Sequence, residues 1–175
     1  MLNVTEADQL VSQHLGTTPR ATHSRFVAHV MQRLAKVFGA HTELWAVVGL
    51  CHDLDFFQTA DDRSQHGILT VEWLGDLIPP EGRSAIASHD HRSGVHADTL
   101  LADALKIADV MAVVDAELGR SVLLQVDRND PLVALRGLLA DKPYLCDMLE
   151  KYTKKRAVPL GHVLNIVTAS SLPSR

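Results

Sequence analysis

Thiols, aromatic rings and surplus positive charge are all scarce in this chain. Cysteine occurs twice in 175 residues, at Cys51 and Cys146. Two distant thiols do not make a disulfide scaffold and read as reduced side chains. Lys and Arg number 17 against 21 Asp and Glu, a formal net charge of -4, so no general field draws in nucleic acid or an anionic membrane. No apolar run reaches the roughly 18 residues of a membrane span, and the opening MLNVTEADQL lacks the basic-then-apolar build of a secretory signal. The expectation is a cytoplasmic protein with neither nucleic acid nor membrane as partner. Nor does any segment alternate with period two, and no repeat is visible, which leaves strands without support.

What remains is apolar side chains at helical spacing. At 46% hydrophobic the chain can bury one core, and a single domain over 1–175 is expected. Thr5-Glu-Ala-Asp8 resembles a capping box and opens a short helix ending near Gly16. Pro19 opens a longer one that Gly39 stops, with Phe26, Val27, Val30, Met31 and Leu34 at three- and four-residue steps. Thr42 is the expected cap of a third helix, apolar around most of its circumference and therefore central, which runs into His52-Asp53. Gln58–Ser64 reads as a loop, with His66 in the first turn of the helix that follows. Pro79-Pro80 start another, and Leu100–Leu118 a long one with Asp109 inside its apolar pattern. Two or three helices complete the chain around 130–170. The reading is all-α, about seven to nine helices.

Ten histidines are the one compositional oddity, and they are scattered rather than tagged onto an end. Six polar residues sit against apolar helix faces: His23, His52, Asp53, His66, His89 and Asp109. Burying such groups without partners is costly. All six are nitrogen or oxygen ligand types for a divalent metal such as Fe, Mn, Co, Mg or Zn. Together they can hold one ion or two, with a bridging carboxylate and a bridging water, projected inward from facing helices. His91, two residues after His89, competes for its place. His14, His29, His41, His96 and His162 read as surface or loop residues, His29 pointing to water. Asp55 leaves two readings open, a carboxylate that orients a ligand or a helix-end charge facing solvent. Lys106, one turn before Asp109, either reaches a substrate phosphate or snorkels along a solvated edge. Arg92 and His91 lie in the polar stretch His89–Asp98, at the mouth of any site. The run KYTKKR at Lys151–Arg156 complements a helix C-terminus.

The stretches His23-Ser-Arg-Phe-Val-Ala, Gly49-Leu-Cys-His-Asp-Leu-Asp, Gln65-His-Gly, Ile86-Ala-Ser-His89 and Ala104-Leu-Lys-Ile-Ala-Asp109 follow one order: His, then His-Asp, then a distant Asp. That order resembles the HD-domain superfamily of all-α, metal-dependent phosphohydrolases, over roughly residues 20–120. The resemblance implies His23, His52, Asp53 and Asp109 as the basic metal set, with His66 and His89 added in a two-metal subgroup. It implies a small phosphate ester as substrate, a nucleotide first among them, with Asp53 bridging the ions and orienting the nucleophile. Lys106, Arg92 or His91 would then meet the substrate. A homodimer is compatible with all of this.

Two departures stand out. After His-Asp the family usually continues with an apolar residue, Gly and Lys, where this chain has Leu54-Asp55-Phe56. The subgroup that cleaves cyclic diguanylate has a second His and a Gly-Tyr-Pro motif, where this chain has Asp90 and Ser93-Gly94-Val95, so that activity is not expected. The same ligand set also suits the superfamily's di-iron oxygenases, and a non-catalytic binding module is the reading from outside enzymology.

Overall fold

The computed structural model describes residues 1–169; residues 170–175 of the expected 1–175 domain lie outside the described residues. Ten α-helices make up the order: α1 Val4–Leu15, α2 Pro19–Val37, α3 Thr42–Cys51, α4 Ile68–Leu74, α5 Pro80–Ala87, α6 Leu100–Leu118, α7 Arg120–Gln125, α8 Pro131–Leu138, α9 Pro143–Lys155 and α10 Leu160–Thr168. No strand occurs among the described residues. The all-α expectation holds, with one helix more than the seven to nine counted from the pattern. The extra element is α7, six residues with only Leu123 buried, too short to carry a periodic signal. Gly119, at φ 81°, both ends α6 and starts α7.

α3 is the hub. Every residue from Leu44 to Cys51 is buried, and α3 packs most extensively on α2, with α1 and α5 also against it. Large aliphatic side chains buried this fully contribute about 1.5–3 kcal/mol each. Gly49 lets the α2 and α3 backbones approach: a Cβ there would lie 2.6 Å from the Ala28 Cα, a contact no side chain tolerates. α6 then lies across α2 and α5 and receives α9 on another side. Buried Asp103 of α6 takes Arg156 Nε at 2.6 Å and Lys155 Nζ at 2.8 Å, tying it to the end of α9. The basic run that reads as a helix end thus also anchors that end.

Three local expectations need correction. Asn3, not Thr5, caps α1: its side chain accepts from Glu6 N at 3.0 Å while Glu6 accepts from Asn3 N at 2.9 Å. Asn is as good an N-cap as Thr, and Glu three residues on completes the box where Asp8 is the weaker partner. His41, not Thr42, caps α3, its Nδ1 accepting from Leu44 N at 3.1 Å. His66 is not in the first turn of α4. It ends a short 3-10 turn over Arg63–Gln65, and Gly67 in the left-handed region at φ 79° separates it from the helix.

Candidate metal centre

α3 stops at Cys51, and the sequence that stops it builds the site. The last carbonyls of a helix have no intrahelical donor. His52, the C-cap of α3, turns its Nδ1 onto one of them, the Gly49 carbonyl, at 2.8 Å. His89, just past the end of α5, does the same to the Ile86 carbonyl at 2.7 Å. A carbonyl only accepts, so each Nδ1 carries the proton and each Nε2 keeps its lone pair. Two helix ends thereby present two imidazoles in the tautomer a metal takes. Gly67 completes the fit, for a Cβ on it would lie 2.6 Å from that same Ile86 oxygen and 3.2 Å from the His89 ring.

His66 is fixed by a different device. Its Nδ1 lies 2.6 Å from Oδ1 of Asp55, a fully buried carboxylate. The other Asp55 oxygen accepts from Gly67 N at 2.8 Å and Thr70 N at 3.0 Å, and the Thr70 hydroxyl accepts from Asp55 N at 3.1 Å. Asp55 therefore caps α4 from outside it, a carboxylate at the positive end of the helix, and aims His66 with its remaining oxygen. Of the two readings its sequence position left open, the solvent-facing one fails. Burial opposes ionisation, but the bonds from His66, Thr70 and Gly67 hold the Asp55 carboxyl below its ordinary range.

At the centre stands Asp53, 2% exposed. Its Oδ2 faces His52 Nε2 at 3.3 Å and His23 Nε2 at 3.5 Å; its Oδ1 faces His66 Nε2 at 3.1 Å and His89 Nε2 at 3.6 Å. Asp109, from the middle of α6, closes the first half, with Oδ1 2.9 Å from His23 Nε2 and 3.8 Å from His52 Nε2. Each Asp53 oxygen thus serves one pair of histidines. Burial works against the Asp53 anion, yet the surrounding His52, His66 and His89 keep it well below the usual carboxylate range. For Asp109, burial is likewise outweighed by His23 and His52. Burial lowers the His66 pKa, but its contacts to Asp53 and Asp55 win and raise it to about 9.

These residues fit a metal on three counts. The Nε2 atoms of His23 and His52 are buried without a hydrogen-bond partner among the described residues, although both have carboxylate oxygens nearby. Lone pairs that converge on a point between atoms, rather than on each other, give that pattern. Ligands about 2.1 Å from one ion and about 90–110° apart lie roughly 3.0–3.4 Å from each other, and the His–Asp separations here, from 2.9 to 3.8 Å, bracket that spacing. Two groups, His23-His52-Asp109 and His52-Asp53-His89, place their donor atoms within 4.8 Å of one another, and His66 stands beside the second.

A family model for the HD domain matches residues 20–113. The chain belongs to the HD-domain family. HD domains are typically metal-dependent phosphohydrolases that bind divalent ions, and the His/Asp groups of this HD domain can hold one. Comparison with curated proteins and with solved structures gives no match.

All six ligand candidates of this HD domain come together, from α2, the ends of α3 and α5, the segment before α4, and α6. The three substrate candidates do not join them. Arg92 is spent on Asp90, with Nε 3.0 Å from both carboxylate oxygens and a further bond from its terminal nitrogen. Burial resists, but those Arg92 bonds bring Asp90 to about 2. The His91 side chain is 92% exposed. Lys106 Nζ lies 5.3 Å from the Tyr152 ring centroid, turned to α9. A residue the sequence did not single out is present instead. Arg20, in the first turn of α2, donates from a terminal nitrogen to Asp53 Oδ2 at 2.8 Å and lies over the Phe56 ring at 3.7 Å. The one available signal is its spacing, a single turn before His23.

Proposed function

We propose that this HD domain is a metal-dependent phosphohydrolase acting on a small phosphate ester, with nucleotides the first class to test. The observation that carries the reading is the division of Asp53, one oxygen toward His23 and His52 and the other toward His66 and His89. That arrangement suits two ions sharing one carboxylate, with Asp109 completing the first half. Bound divalent ions would supply positive charge for the phosphoryl oxygens and a more acidic water near neutral pH. The chain's own part is positional. The Gly49 and Ile86 carbonyls hold the tautomers of His52 and His89, Asp55 holds His66, and burial of Asp53 keeps bulk water from competing for its oxygens.

The test is phosphate release from a nucleotide panel by protein loaded with Mn²⁺, Fe²⁺, Co²⁺, Mg²⁺ or Zn²⁺. Turnover is expected with at least one pairing, together with loss of more than about 100-fold in Asp53→Ala, whose metal content should fall as well. Metal-replete protein inert toward every ester sinks hydrolysis. Two irons per chain with substrate-dependent O₂ uptake would replace it with oxygenase chemistry. A His52→Ala, Asp53→Ala double variant with unchanged metal content would remove both enzymatic readings.

A further inference from the structure

Arg20 is in an expensive place for a merely structural cation. It occupies the second position of α2, where the helix dipole is positive, and the first turn of α2 holds no acidic residue to offset it. Of its five donors, the contact to Asp53 Oδ2 is its one hydrogen bond among the described residues. The guanidinium is nevertheless fixed, because it stacks on Phe56 at 3.7 Å from the ring centroid. A second guanidinium uses the same ring: Arg63 lies 4.3 Å from that centroid and donates to the Phe56 carbonyl at 3.0 Å. Arg63 has no carboxylate partner among the described residues. One half-buried phenylalanine, in the Leu54-Asp55-Phe56 stretch where the chain leaves the common family pattern, thus holds two forked cations at the edge of the His/Asp cluster.

We infer that Arg20 and Arg63, plated on Phe56, form the anion-binding arm of the site and take the non-bridging oxygens of the substrate's phosphate group. This rests on the phosphohydrolase reading above. Asp53 Oδ2 cannot serve both a metal and Arg20 fully; a metal held by that oxygen would leave the Arg20 fork free beside the His/Asp cluster. Its planar donors match phosphate geometry, and stacking on the ring removes the entropy that a free side chain would lose on binding. Arg63 extends the positive edge outward and favours a substrate with a second anionic group.

The experiment titrates inorganic phosphate into metal-loaded wild type, Arg20→Ala, Arg20→Lys, Arg63→Ala and Phe56→Leu, with metal content measured on the same samples. Arg20→Ala should weaken phosphate binding about 10–100-fold, Arg63→Ala and Phe56→Leu by less, and Arg20→Lys should recover part of the loss. Metal content should stay level or rise in Arg20→Ala, because a competitor for Asp53 is gone. An arm that merely propped up Asp53 would lower metal content instead, and that result overturns the inference. So does a phosphate affinity within twofold of wild type in Arg20→Ala at full metal content, or metal-loaded wild type that does not bind phosphate. Wild type that takes up no metal removes the phosphohydrolase reading, and the arginine arm with it.

Discussion

Asp55 shows how much one carboxylate can fix. It touches His66 with one oxygen and the start of α4 with the other, so ring orientation and helix position are set by the same side chain. Replacing it with Asn separates the two jobs. The amide oxygen can still accept from Gly67 N and Thr70 N, while its NH₂ then faces His66 Nδ1. A donor there makes Nδ1 the acceptor and moves the proton to Nε2, the nitrogen that faces Asp53. Asp55→Asn should therefore fold and yet bind metal at the His66-His89 half about 10–100-fold more weakly. Metal stoichiometry after desalting, and competition with a chelator, would show it; wild-type affinity and stoichiometry would contradict it. At this scale the sequence was most readable where polar residues interrupt an apolar face. His52, Asp53 and Asp109 stand out for that reason. Asp55 was ambiguous because the partner that gives it meaning lies eleven residues away, and Arg20 was invisible because it sits in a first turn that reads as polar anyway.

Among elements, length decided legibility. The long helix α6 runs from Leu100 to Leu118, the bounds its apolar spacing predicts, because nineteen residues average out any one exception. Caps depend on one side chain each, and two of them went to a neighbour, Asn3 and His41. Helix α2 holds the error with a consequence for pH. His29 does not simply face water: it is half-buried and accepts from Arg33 Nε at 2.8 Å. Burial lowers its pKa from 6.5, and the positive charges of Arg33, Arg120 and Lys36 add to that. The unfolded chain then takes up a proton near pH 6.5 that the folded chain still refuses, so stability attributable to this site falls as pH drops through that value. His29→Gln has no proton to refuse. Its stability relative to wild type should rise steadily between pH 7.5 and pH 5, in denaturant melts run side by side. The comparison cancels the opposing histidines at the centre, His66 and His89, whose pKa values are raised. Parallel stability curves for the two proteins would show that His29 titrates as it does in the unfolded chain.

For the molecule as a whole, the donors matter less individually than by where they come from. His23 belongs to α2, His52 and Asp53 to the end of α3, His66 to the approach to α4, His89 to the end of α5 and Asp109 to α6. All-α class was legible from helical periodicity, and so were His23 and Asp109 inside helices and His52, Asp53 and His89 just past the ends of apolar ones; His66 follows a 3-10 turn, where no helical period sets its direction. How α7 to α10 pack was not legible, since their short amphipathic faces fit several partners equally. An ion at the centre would therefore link α2 through α6 and leave α8 to α10 to their own contacts. Ligand that binds only the folded state adds about 2.7 kcal/mol at a hundredfold excess over its Kd, and each kcal/mol moves the midpoint of a chain this size by roughly 2–4 °C. Chelation of metal-loaded protein should lower Tm by about 5–10 °C. Readdition of the divalent ion should restore it in a concentration-dependent way. Amide exchange should quicken in α3, α5 and α6 on chelation, with α8 and α10 little changed. A Tm indifferent to chelator and metal would mean that the His/Asp cluster does not bind an ion in the folded chain, whatever its geometry allows.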